Sequence, residues 1–250
     1  MKKIIFTLLA LVGTMSMNAQ IMQIYNGDTL VKEYKASEAT HVVFKEVPVF
    51  SFGQGEAAAK GIGSVKWIQL WENGPKFAEY NVGATYATEY GGYYTWGGAY
   101  NNNPNLEGFE WTDDHNKGTT SLTGNDDTAT ALWGNKWRMP TKGELEALLK
   151  SDNCKVEWKS DYNGKAGYLC TGKEGTAYEN NSVFLPAAGL CDDGDVHGHG
   201  QGDYGLYWSS TPNGMYNTYY LFFNSGDQGV NFDRRNFGYS VRAVLNEVVE

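Results

Sequence analysis

Trp133-Gly134-Asn135-Lys136-Trp137-Arg138-Met139-Pro140-Thr141-Lys142-Gly143-Glu144-Leu145-Glu146-Ala147-Leu148-Leu149 is the stretch from which the rest of the chain can be laid out. Pro140 bars Met139 from the helical conformation, and Thr141 with Glu144 three residues on makes a capping box, so a helix starts at Thr141. Leu145, Leu148 and Leu149 recur at helical spacing and form one apolar stripe, while Lys142, Glu146 and Lys150 fall on the opposite side. One face therefore docks on a core. Upstream, Trp133 and Trp137 flank a Gly-Asn turn, an aromatic plug between this helix and a shorter one capped by Asp126 or Asp127 and running through Ala131 and Leu132.

Outward from there, glycine and aromatic residues dominate. The 250 residues include 31 glycines, 17 tyrosines and 8 tryptophans, a composition of short strands and turns packed around rings. The net charge of -9 argues against a nucleic-acid partner, which needs clustered Lys and Arg. Lys2 and Lys3 ahead of the apolar run from Ile4 to Val12 read as a signal peptide over residues 1–19, with the mature chain starting near Gln20 and exported. That run is too short to span a bilayer, and no comparable run follows.

Residues 20–46 read as a small β unit. It comprises Met22 to Tyr25, an Asn26-Gly27-Asp28 turn, Thr29 to Tyr34, and then His41 to Phe44. Residues 47–64, with Pro48 and Ala57-Ala58-Ala59, read as a linker, and residues 65–246 as the main domain. Within it Val65 to Leu70, Lys76 to Tyr80, Cys154 to Trp158, Gly167 to Thr171, Val183 to Pro186, Tyr207 to Ser210, Thr218 to Asn224, Gly229 to Asp233 and Ser240 to Leu245 are strand candidates. Asn101 to Gly124 and Cys191 to Tyr204 read as loops. Cys154, Cys170 and Cys191 are an odd number, so the chain is not a disulfide scaffold. An odd-numbered loop lets Cys154 meet Cys170, whereas a tight Asn163-Gly164 turn sets Cys154 opposite Lys173 and keeps them apart; the sequence leaves both open, with Cys191 free.

Six segments then fall in a recognisable order. They are Glu79-Tyr80-Asn81-Val82-Gly83-Ala84, Tyr90-Gly91-Gly92-Tyr93-Tyr94-Thr95-Trp96-Gly97, Trp137-Arg138-Met139-Pro140-Thr141, Phe184-Leu185-Pro186-Ala187-Ala188-Gly189, Tyr207-Trp208-Ser209-Ser210-Thr211 and Ser240-Val241-Arg242-Ala243-Val244. From Lys66 to Leu245 the chain resembles the Fibrobacter succinogenes major paralogous domain family of exported Bacteroidetes proteins. The resemblance implies an α+β, C-type lectin-like domain with short strands and two short helices. It also implies kinship with formylglycine-generating enzymes and with the variable proteins of diversity-generating retroelements.

An enzyme reading finds little to work with. Formylglycine-generating enzymes use a cysteine pair late in the fold, and here the last cysteine, Cys191, precedes the Tyr207 to Val244 block. No His-Glu-x-x-His, Gly-x-Ser-x-Gly or phosphate loop occurs. Asp192, Asp193, Asp195, His197 and His199 have oxygen and imidazole donors, but their spacing matches no established metal loop, so neither a metal nor another cofactor is expected.

A binding reading rests on the last third, rich in Tyr and Asn, a composition suited to adaptable recognition. Alternation places Leu221, Phe223, Val230, Phe232, Val241 and Ala243 inside. It leaves Tyr216, Asn217, Tyr220, Asn224, Asn231, Asp233, Arg234, Arg235 and Asn236 as a ligand face for a glycan or protein. In the retroelement relatives the equivalent block is the diversified binding surface. The alternative expectation is a structural or adhesive subunit of a surface assembly, engaged through the N-terminal β unit.

Overall fold

The computed structural model describes residues 21–26, 29–35, 51–98, 122, 124–192 and 199–247, and the chain divides into two compact units, Met1–Val49 and Phe50–Glu250. In the first, β1 (Ile21–Asn26) and β2 (Thr29–Lys35) pair antiparallel and close at Asn26↔Thr29, where the Asn-Gly-Asp turn was expected. The leader and the third segment, His41 to Phe44, lie outside the described residues.

Among its described residues the second unit is mostly β-sheet with two short α-helices. Its first sheet joins β3 (Gln54–Ala59), β4 (Gly63–Gln69), β5 (Lys76–Ala78), β13 (Val244–Leu245) and β6 (Trp137–Arg138), in that order. The late strand β13 thus pairs with both β5 and β6 and ties the end of this unit to its beginning. A second sheet is β7 (Cys154–Tyr162), β8 (Lys165–Gly172) and β9 (Ser182–Pro186), and a third is β10 (Tyr204–Asn213), β11 (Asn217–Asn224) and β12 (Gln228–Arg234).

The linker expected over residues 47–64 is corrected. β3 lies inside it, paired with β4 from Gln54↔Ile68 to Ala59↔Gly63, and the unit begins at Phe50. Its small residues are a packing requirement. A Cβ on Gly55 would stand 2.6 Å from the Trp67 ring, and the Trp137 indole donates to the Ala58 carbonyl at 3.1 Å. What reads as flexible composition is a strand with bulky rings laid across it.

The helices form as their caps dictate. Asp127 caps α1 (Thr128–Trp133), accepting from the Thr130 amide. Thr141 caps α2 (Lys142–Leu148): its hydroxyl accepts from the Glu144 amide at 3.3 Å while the Glu144 carboxylate accepts from the Thr141 amide at 2.7 Å. Leu145 and Leu148 are buried, in the same cluster as Tyr207, Leu221 and Phe223, so α2 lies against the third sheet. Trp133 and Trp137 meet edge-to-face at 5.6 Å. The β7–β8 turn uses Asn163 and Gly164 at φ 52 and 87, the primed geometry that suits a two-residue hairpin. A register shift between Lys159 and Tyr162 sets Cys154 opposite Gly172 and Cys170 opposite Val156. Cys154 and Cys170 are both buried and in no disulfide, which decides against the Cys154–Cys170 bond.

Four of the six ordered segments meet around Arg242. Its guanidinium, fully buried, donates to Asn81 Oδ1 at 2.9 Å, to the carbonyls of Ala78 and Glu79 at 3.0 and 2.9 Å, and to that of Phe184 at 2.8 Å. Asn81 in turn donates to Tyr207, whose hydroxyl donates to the Pro186 carbonyl. Every recorded acceptor is neutral, so burial pulls the Arg242 pKa down to about 10. Trp96 and Trp208 complete the framework by donating to Ser209 and Tyr94 carbonyls. These segments are therefore scaffold.

Candidate ligand-binding face

The third sheet positions the candidate site. Pairing in the ladder puts Trp208, Tyr220 and Asn231 on one side, followed by Leu206, Phe222 and Gly229, then Tyr204 and Asn224. The other side carries Tyr207, Leu221 and Val230, and further along Tyr219 and Phe232. The Leu221 side packs on α2 and on Tyr168 of β8, whose ring stacks on Phe223 at 4.3 Å. Burial on the Tyr220 side is graded. At β10 Trp208 is buried under Tyr239, stacked at 4.0 Å; at β11 Tyr220 and Phe222 are half-buried; at β12 Asn231 is exposed.

Asp233 stands on the Tyr220 side opposite Thr218. One oxygen accepts from the Tyr239 hydroxyl at 2.9 Å and the other from the Arg234 amide at 2.7 Å. Tyr220 leans on Tyr239 with ring centroids 5.0 Å apart, and burial, followed by the Asp233 charge, raises the Tyr220 pKa. The face thus presents ring surface, an amide and a carboxylate already oriented by a buried tyrosine. This chemistry can stack on a planar or sugar-like surface and hydrogen-bond at its margin.

Of the expected residues, Tyr220, Asn224, Asn231 and Asp233 do share this side. Asn224 is occupied, its side-chain oxygen accepting from the Gly226 and Asp227 amides to hold the turn. Asn217 and Arg234 pair with each other on the opposite side, Tyr216 is exposed in the β10–β11 connection, and Asn236 is half-buried. Arg235 does not belong to the exposed face. It is 4% exposed, its guanidinium lies 4.2 Å over the Trp96 ring and donates to the Gly214 and Asn217 carbonyls, and burial lowers its pKa. A cation leaves the surface here because an aromatic face and two carbonyls replace its water.

Phe232 is the converse correction: expected inside, it is 58% exposed, while Val230 is half-buried. Alternation set its side correctly, but β12 is the outermost strand and Phe232 has edge-to-face contact with Tyr219 at 6.4 Å in place of a core. Sequence reasoning missed Tyr204 and Phe237, half-buried beside this face, and left Phe222 out of it although alternation puts Phe222 on the Tyr220 side, where it stands.

Elsewhere, among the described residues, hollows of about 420 and 190 Å³ lie beside β7 and β4, lined by side chains of mixed polarity. His199 Nε2 is 3.3 Å from Asp192 Oδ1, while Asp193, Asp195 and His197 lie outside the described residues. Among the described residues no cluster of three or more His, Cys, Asp or Glu side chains is placed to hold a metal ion. Nor is any helix among them long and apolar enough to cross a membrane.

A family model described as a domain of unknown function (DUF8237) matches residues 174–244, a stretch that contains β9 through β12 and therefore the whole candidate face. No curated protein and no solved structure matches the chain.

Proposed function

We propose that the chain is an exported or cell-surface ligand-binding module, without enzymatic activity, that recognises a glycan or protein through the Tyr220 side of the β10–β12 sheet. The observation that carries this reading is the gradient across that sheet, from buried Trp208 through half-buried Tyr220 and Phe222 to exposed Asn231. A rigid aromatic floor that ends in an open polar margin costs little side-chain entropy on binding. A C-type lectin-like fold for the unit that begins at Phe50 is part of the proposal. It is supported by the two short helices, by β13 returning beside β5, and by the ordered segments gathered on Arg242. The cysteines are buried, with Cys154 pushed up to about 12 by burial, so they make poor nucleophiles, in keeping with a binding role.

The test is a glycan and protein array probed with the full-chain protein and with Asn231→Ala. Signals that fall selectively in the variant support the face; signals unchanged across all features place the site elsewhere. A second reading, a structural or adhesive subunit engaged through the N-terminal unit, is favoured by one observation. Among the described residues that unit's sheet has two strands only, which are marginal alone and leave backbone groups for a partner strand.

A further inference from the structure

We infer that β12 is a self-association edge, and that two copies of this chain pair antiparallel through Val230-Asn231-Phe232 about a twofold axis at Asn231.

The ladder shows which backbone groups are open. Asn224 donates to the Asp227 carbonyl and Arg235 donates to that of Tyr216, so positions 227, 229, 231, 233 and 235 turn their backbone groups toward β11. Positions 228, 230, 232 and 234 turn theirs outward. The two end amides of this outer row are already closed: Gln228 donates to Asp227 Oδ1 at 2.8 Å and Arg234 to Asp233 Oδ1 at 2.7 Å. Val230 and Phe232 between them keep outward amides and carbonyls, with no partner among the described residues. The window holds no Lys, Pro or bulge, the usual devices that blunt an edge, and its Phe232 ring is 58% exposed.

The capped ends select both partner and register. A second copy offers the same short window, and only one antiparallel alignment sets both open residues against open residues. In it Val230 faces the other copy's Phe232 and Phe232 its Val230, giving two reciprocal hydrogen-bonded pairs. Sliding by one pairing step in either direction matches Val230 or Phe232 with a capped end position. The chosen alignment also places Asp233 opposite Gly229 and Arg234 opposite Gln228, so no like charges face each other. Each exposed phenylalanine gains the other copy's valine on the Leu221 side. So short a contact is below standard interface size and gives a weak dimer.

The register is testable at one residue. Asn231 would face its own counterpart as a non-hydrogen-bonded pair, with Cα atoms about 4.5 Å apart, within disulfide reach. Full-chain Asn231→Cys should therefore form a disulfide-linked dimer under mild oxidation, because the native thiols are buried, whereas Gly229→Cys should not. In sedimentation velocity from about 1 to 500 µM, a range that brackets weak association, the wild type should shift from monomer to dimer. Phe232→Lys and Val230→Pro, the latter removing only an outward amide, should remain monomeric with unchanged circular dichroism. A wild type that stays monomeric throughout, a dimer that survives both substitutions, or equal cross-linking at 229 and 231 overturns the inference.

Discussion

Replacing Arg242 by methionine keeps most of the side-chain volume and removes all the donors. Asn81 Oδ1 and the carbonyls of Ala78, Glu79 and Phe184 then lose their partner at a fully buried position. At about 2 kcal/mol for each of the three acceptors in fully buried bonds, with the part-buried Glu79 carbonyl able to take water instead, the loss is about 6 kcal/mol. Against it, the chain no longer has to hold a cation out of water; the fall in pKa from the ordinary guanidinium value to about 10 corresponds to a penalty of roughly 3 kcal/mol, which the substitution returns. The net expectation is a destabilisation of about 3 kcal/mol, or a drop in Tm of about 6 to 12 °C for a unit of this size. Urea unfolding followed by tryptophan fluorescence reads it directly, with an unchanged dependence on denaturant confirming that the same transition is compared. A midpoint equal to or above that of the wild type would refute the hub, and would mean that apolar packing serves this position as well as the guanidinium does.

Three further outcomes follow from the fold. Thr141→Ala should cost about 1 kcal/mol through the lost cap and Leu148→Ala about 2 to 5 kcal/mol through the cavity beneath α2; a neutral Leu148→Ala in denaturant unfolding contradicts the assigned face. Thiol titration of denatured, unreduced protein should count three free thiols, and a count of one would restore the Cys154–Cys170 bond. Stability should fall as pH rises from about 9 to 11, because burial raises the Cys154 thiol from 9.0 to about 12 and also raises Cys170, Tyr93, Tyr94, Tyr207 and Tyr239. Groups raised in the fold hold protons that the unfolded chain has already released, so their stabilisation is complete below the unfolded pKa and is lost as pH climbs toward the folded one. Arg242 and Arg235, both lowered in the fold, act in the opposite sense but are two groups against these six. Urea midpoints that stay level to pH 11 contradict this balance.

What could be read before folding was local. The Thr141–Glu144 box is decided by residues within a few positions and stands where expected, and of the two β7–β8 loops the sequence left open the tight Asn163-Gly164 turn is the one that forms. Period-two alternation likewise placed Tyr220, Asn231 and Asp233 on one side. It could not say which strand lies outermost, which is why Phe232 was assigned to the core. Nor could it foresee that Trp96, more than a hundred residues upstream, would take Arg235 out of solvent, or that Trp67 and Trp137 would make a strand of an alanine-rich linker. Arg242 stood in a recognised segment, but its role depends on acceptors from Ala78, Glu79, Asn81 and Phe184 that only the folded chain assembles.

The most direct test of the binding face is to titrate the strongest array hit against wild type, Asn231→Ala, Arg235→Ala and a Lys155→Ala control on β7, recording Tm for each. Asn231→Ala should weaken binding by about 1 to 3 kcal/mol, the range of interface hot spots, at unchanged Tm. Lys155→Ala should alter neither quantity, and Arg235→Ala should lower Tm, since its guanidinium is packed on Trp96. Full affinity in Asn231→Ala together with loss in Lys155→Ala would contradict the assignment and move the site off the β10–β12 sheet.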